Sequence, residues 1–139
     1  MKYLFTLLLI VNIAFAQCPN GTYVNIVINP DQYPIETSWA IIDYFEDTIV
    51  AGGPYDNIVG YEPQLMQVCI PNGDYLFNIS DQYGDGVAGS LWGGQDGSYY
   101  VVHCGDTIVQ PDSANFGFAA FHGFTLEDCA PPPPVFGCM

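Results

Sequence analysis

Pro71-Asn72-Gly73-Asp74-Tyr75-Leu76-Phe77-Asn78-Ile79-Ser80 reads as a tight turn running into a strand. Asn-Gly is a strong hairpin signal, because glycine takes a positive φ without steric cost. Beyond it Tyr75, Phe77 and Ile79 fall on one face at the strand period of two. The same grammar recurs outward in both directions. Short β-branched and aromatic runs predict strands at Thr22–Ile28, Ser38–Tyr44, Thr48–Gly52, Gln64–Ile70, Asp74–Ser80, Gly97–Cys104, Thr107–Gln110 and Phe116–Leu126. Helical periodicity is nearly absent. The expected fold is all-β, an antiparallel β-sandwich of about eight strands with jelly-roll or CUB-like connectivity. Tyr23-Val24-Asn25-Ile26-Val27-Ile28 is mostly apolar and reads as a centrally buried strand.

If each connection reverses the chain, the long loops at 29–37, 53–63, 81–96 and 111–115 share one end. The tight turns at 44–47, 71–73 and 105–106 share the other. Sites carried by loops sit on such an end.

The flanks differ in character. Lys2, the apolar run from Tyr3 to Val11 and Ala14-Phe15-Ala16 predict a secretory signal over residues 1–16, cleaved before Gln17. The apolar run is too short for the roughly 20 residues of a membrane span. The sandwich is placed at 17–129, and Ala130-Pro131-Pro132-Pro133-Pro134 opens a proline-rich linker over 130–139. The protein is therefore expected to be secreted, at the cell surface or in the extracellular medium.

Charge excludes several functions. The 139 residues carry a net charge of −14, and Lys2 is the single Lys or Arg. Without cations the chain cannot displace the counterions of nucleic acid, and an anionic membrane repels it. Sites that clamp phosphate or carboxylate with Lys or Arg are excluded as well. The acidity itself has two readings: solubility in a salty medium, or convergence of carboxylates on a divalent cation.

Asp81-Gln82-Tyr83-Gly84-Asp85-Gly86 supports the second. Two carboxylates four apart, with glycines between and after, suit a tight loop around a hard cation that takes oxygen ligands. The spacing is not that of an EF-hand, and a plain Asp-Gly turn is the competing reading. The loop count brings Asp31 and Glu36 to the same end, together with Asp56, Asp96 and Asp112. The expected metal ligands are Asp81, Asp85, Asp31 and Glu36, and the expected cofactor is calcium. Trp92, with Tyr83, is the expected ligand-binding pair, since a loop indole can stack on a sugar ring. The competing reading folds Trp92 back over the core edge.

Cys18, Cys69, Cys104 and Cys129 all fall at the tight-turn end. Of the three possible pairings, Cys18–Cys129 ties the two ends of the domain and Cys69–Cys104 ties two hairpin ends, against the alternative of free buried thiols. Cys138 is left over. No Cys-x-x-Cys is present, so zinc is not expected. His103 and His122 have no Ser or Cys at triad spacing, and the chain is not expected to be an enzyme. Asn20-Gly21-Thr22 and Asn78-Ile79-Ser80 are glycosylation sequons.

Two motifs resemble a β-sandwich domain of secreted, modular proteins of marine bacteria and microalgae. That family shows Asp-x-Tyr-x-x-Glu-Thr-x-Trp, then Asp-x-Tyr-Gly-Asp-Gly, then Gly-x-Gly-x-Tyr before a strand. Here they read Asp31 to Trp39, Asp81 to Gly86 and, more loosely, Gly94 to Tyr99. Many members follow the second motif with Cys-Cys, where this chain has Val87-Ala88. The resemblance implies an extracellular accessory domain. The tail Pro134-Val135-Phe136-Gly137-Cys138-Met139 resembles the opening of a secreted Gly-Cys-x-Asp-Pro repeat, which implies a truncated chain and a lost partner for Cys138.

The function expected from these residues is a non-catalytic, calcium-binding extracellular adhesion or binding module, with an extracellular glycan or protein as partner. A carbohydrate-binding module accessory to a hydrolase and a structural subunit of an extracellular filament are the alternatives.

Overall fold

The computed structural model describes residues 18–131 together with Pro134 and Gly137. The expected signal segment, Cys138 and most of the proline-rich tail lie outside the described residues. Eight strands form: β1 (Gly21–Asn29), β2 (Thr37–Asp43), β3 (Thr48–Gly52), β4 (Gln64–Pro71), β5 (Gly73–Asp81), β6 (Ser98–His103), β7 (Asp106–Val109) and β8 (Ala119–Leu126). They make two antiparallel sheets, ordered β4-β1-β6-β7 and β3-β2-β5-β8. The chain crosses between sheets after β1, β3, β4, β5 and β7.

The alternation seen in β5 fills the space between the layers. Val24, Ile26 and Ile28 of β1 and Tyr99 and Val101 of β6 face Trp39 and Ile41 of β2 and Phe77 and Ile79 of β5. Phe77 stacks on Trp39 in its own sheet, with ring centroids 5.9 Å apart, and on Tyr99 of the other sheet at 5.7 Å. Phe77 thus stacks on a ring of each layer.

Three expectations need correction here. The Asn72-Gly73 turn does not close a hairpin: β4 and β5 lie in different sheets, so it carries the chain from one layer to the other. β1 is central in its sheet but not buried on both faces: Tyr23 and Asn25 are exposed. A two-layer sandwich covers only the inner face of each sheet, and among the described residues no helices cover the outer ones. Phe116 does not open the last strand, which begins at Ala119. It turns in instead and meets Tyr99 edge-to-face at 5.8 Å.

The cysteines are also paired differently from expectation. All four lie at the tight-turn end, but the bridges are Cys18–Cys69 and Cys104–Cys129, with Cα atoms 5.5 and 5.4 Å apart. Neither Cys18–Cys129 nor Cys69–Cys104 forms. The reason is strand adjacency. β1 pairs with β4 in the register Thr22↔Ile70, so the chain entering β1 lies beside Cys69. The β6–β7 turn of one sheet stands over the exit of β8 from the other, and the second bridge closes the two layers there. Direction along the sandwich axis is legible from loop counting; lateral neighbourhood is not.

Cleavage of the non-reduced protein at aspartate should release one linked pair of peptides containing Cys18 and Cys69 and another containing Cys104 and Cys129; the opposite pairing would contradict the strand order. Phe77→Ala should cost about 3–5 kcal/mol of stability in a denaturant titration, because it opens a cavity between the layers.

Candidate functional site

The loop end is built from β5 outward. Asp81 is the last residue of β5, paired across the ladder with Thr37 at the start of β2. Its Oδ2 accepts the backbone N–H groups of Tyr83 (3.0 Å), Gly84 and Asp85 (3.1 Å). One carboxylate oxygen thereby winds the loop back over the strand end. Gly84 and Gly86 take positive φ of 87° and 67° in this bend. A Cβ at Gly84 would stand 2.6 Å from the Phe118 ring, and one at Gly86 would stand 2.4 Å from the Ala114 carbonyl oxygen. The glycines of the motif are therefore required by conformation and by close approach.

Glu36 arrives from the other side. It ends a 3-10 turn at Pro34–Glu36 that leads into β2, and its carbonyl accepts the N–H of Gln82 at 3.0 Å. Glu36, Asp81 and Asp85 each offer a carboxylate oxygen, and these oxygens lie within 4.8 Å of one another. Asp81 is only 4% exposed. Its second oxygen, Oδ1, is buried and has no hydrogen-bond partner among the described residues. Asp85 repeats the pattern: Oδ2 accepts the indole N–H of Trp92, while Oδ1 is buried without a partner. Each Asp thus has one oxygen anchored by the protein and one left free. The Thr37 hydroxyl, directly opposite Asp81, is likewise buried and unpartnered.

Of the four expected ligands, the structure brings Asp81, Asp85 and Glu36 together. Asp31 is buried nearby, but its Oδ1 accepts the Tyr33 N–H at 2.7 Å and it is not in the three-carboxylate group. Asp56 caps the turn at Asn57–Val59, and Asp96 accepts the Ser90 N–H. Nothing in the sequence pointed to the Trp92–Asp85 bond or to the orphaned Thr37, because both arise from partners brought together by the loop.

Trp92 does not fold back over the core edge. It is 65% exposed, Tyr83 68% and Tyr33 41%. Together with Glu36 and Asp85 they line a cleft of about 250 Å³. A larger groove lies at the opposite, tight-turn end, between Tyr44 and Phe121, away from the acidic group. Among the described residues the other cluster of ligand-type atoms, His103 with Cys104 and Cys129, has both sulfurs committed to a disulfide. His103 Nε2 donates to the Glu127 carbonyl at 2.8 Å, and His122 Nε2 lies 2.7 Å from the Tyr99 hydroxyl. Both imidazoles have structural partners.

Burial pushes the Glu36 pKa up to about 7, and the charges of Asp81, Asp85 and Asp31 add to it. Burial also raises Asp81, against the three N–H groups that favour its charge, and Asp85 adds to the rise. Asp31 is raised by burial and then by Asp85, Asp81 and Asp96. No Lys or Arg occurs after Lys2 to offset this.

A carboxyl with a higher pKa in the fold than in the unfolded chain holds its proton more tightly when folded. In chelator, the melting temperature should therefore fall as pH rises from about 4.5 to about 7, the span of the Glu36 shift. Glu36→Gln should flatten that fall; a melting temperature that rises over this span would contradict the burial of the cluster. No protein-family model, curated protein or solved structure matches the chain. What it does must be read from the chemistry of this site.

Proposed function

We propose that the protein is a non-catalytic, calcium-binding module of the extracellular space, serving adhesion or binding. The observation that carries this reading is the pair of buried carboxylate oxygens, Asp81 Oδ1 and Asp85 Oδ1, left unpartnered in a group of three carboxylates within 4.8 Å. Burying such oxygens without a partner is costly, and more so for charged groups. A cation removes that cost.

The donor set favours calcium. All donors are oxygens and two come from one loop, as hard, flexibly coordinated calcium prefers. Two oxygens bound to one calcium at about 2.6 Å can stand up to about 5.2 Å apart, which spans the group as it is. Magnesium demands near-octahedral geometry and gives up its waters reluctantly, which suits it less to such a protein-built group. Two disulfides suit an oxidising compartment, in keeping with the signal-like N-terminus. Extracellular calcium modules work at dissociation constants of about 10⁻⁴–10⁻³ M. The Asp81–Gly86 motif, in its resemblance to secreted accessory domains, supports the same assignment.

Calcium at a hundredfold excess over its dissociation constant should stabilise the fold by about 3 kcal/mol. The melting temperature should rise with calcium, fall on chelation and respond weakly to magnesium. In Asp81→Asn/Asp85→Asn it should barely respond to calcium. A wild-type melting temperature indifferent to calcium would overturn the calcium reading.

A further inference from the structure

We infer that the cleft beside the acidic group is a calcium-dependent site for one residue of a neutral glycan, with vicinal sugar hydroxyls on the cation and the sugar ring on Trp92. This rests on the calcium reading above and adds the ligand class. Glu36 and Asp85 belong both to the carboxylate group and to the wall of the cleft, so a cation held by them faces the cleft. Calcium takes six to eight oxygens, and three carboxylates leave positions that water or a ligand's oxygens must fill. A vicinal diol fills two at once.

Trp92 is the second support. Its N–H is bonded to Asp85 Oδ2, yet most of its ring is bare. An indole whose one polar atom is already used offers only its apolar face. Held by a carboxylate of the cation group, that face has a set position beside the cation. Tyr83 and Tyr33 add two more open aromatic side chains around the same cleft. A sugar ring presents C–H groups on one face and hydroxyls at its edge, the two chemistries found here side by side.

Size and charge narrow the class. At about 250 Å³ the cleft falls below the roughly 300 Å³ at which pockets for drug-sized ligands begin, which suits a single sugar residue. Three carboxylates exceed the charge of one calcium, and no Lys or Arg follows Lys2 to receive an anion. Sulfated and carboxylated sugars are repelled, and a neutral one is not.

The test uses agarose bearing mannose, glucose or galactose, with alginate as the acidic control. Mannose and glucose present a trans pair of hydroxyls at C3 and C4, and galactose a cis pair, so the set covers both vicinal geometries. The protein should be retained in calcium on at least one neutral matrix and released by chelator and by the free sugar. Trp92→Ala and Tyr83→Ala should each weaken retention, Trp92→Ala by about tenfold, or about 1.4 kcal/mol. Tyr44→Ala, at the far end of the sandwich, should not change it. Retention on no neutral matrix while calcium still raises the melting temperature would overturn the glycan site and leave the calcium reading standing. Retention only on alginate, retention that survives chelator, or retention unchanged in Trp92→Ala would overturn it equally. A melting temperature blind to calcium would overturn both.

Discussion

Asp81 joins the core to the loop end. Its backbone closes the β5 ladder against Thr37, and its Oδ2 gathers three successive loop N–H groups. Hydrogen bonds to a charged acceptor contribute about 1.5–3 kcal/mol each, enough to hold a glycine-rich bend that costs backbone entropy to order. With the Glu36–Gln82 backbone bond, this oxygen holds the bend in which Asp85 comes to Glu36 and Trp92 to Asp85. The same side chain leaves its other oxygen buried and bare. The loop is thus held by half of a carboxylate whose other half remains unsatisfied.

That imbalance is electrostatic in origin. A chain with no Lys or Arg after its second residue has no side-chain base, other than two structurally engaged histidines, to set against a buried carboxylate. Its carboxylates can be solvated, bonded to backbone N–H groups, protonated or paired with an ion. Asp43 and Asp56 take backbone N–H groups at the surface. Glu36, Asp81 and Asp31 are pushed towards protonation by burial and by their neighbours. The proposed calcium supplies the remaining route.

The two ends divide the work. At the tight-turn end, two disulfides tie β1 to β4 and one sheet to the other. His103 adds a bond to the chain leaving β8. Between the ends, Trp39, Phe77 and Tyr99 stack across the layers. With one end clamped and the middle close-packed, the loop end can carry exposed aromatic rings and buried charge without loosening the fold. In the proposed glycan site, those rings and that charge act on one ligand.

Much of this was legible in the sequence, for a physical reason. Strand alternation, turn residues and chain reversal are local, and β3 and the starts of β4 and β8's neighbour β5 fall within a residue of where pattern alone places them. Reversal at each connection also sorts the loops, the cysteines and the Asp81–Gly86 motif to their correct ends. What only the tertiary structure decided is lateral. Which strands lie side by side set the disulfide partners, turned β1's outer face to solvent and drew Phe116 onto Tyr99. It also chose Glu36 over Asp31 for the carboxylate group and set the Trp92 indole on Asp85. Those outcomes depend on distances between residues far apart in the chain, and a local pattern carries no information about them.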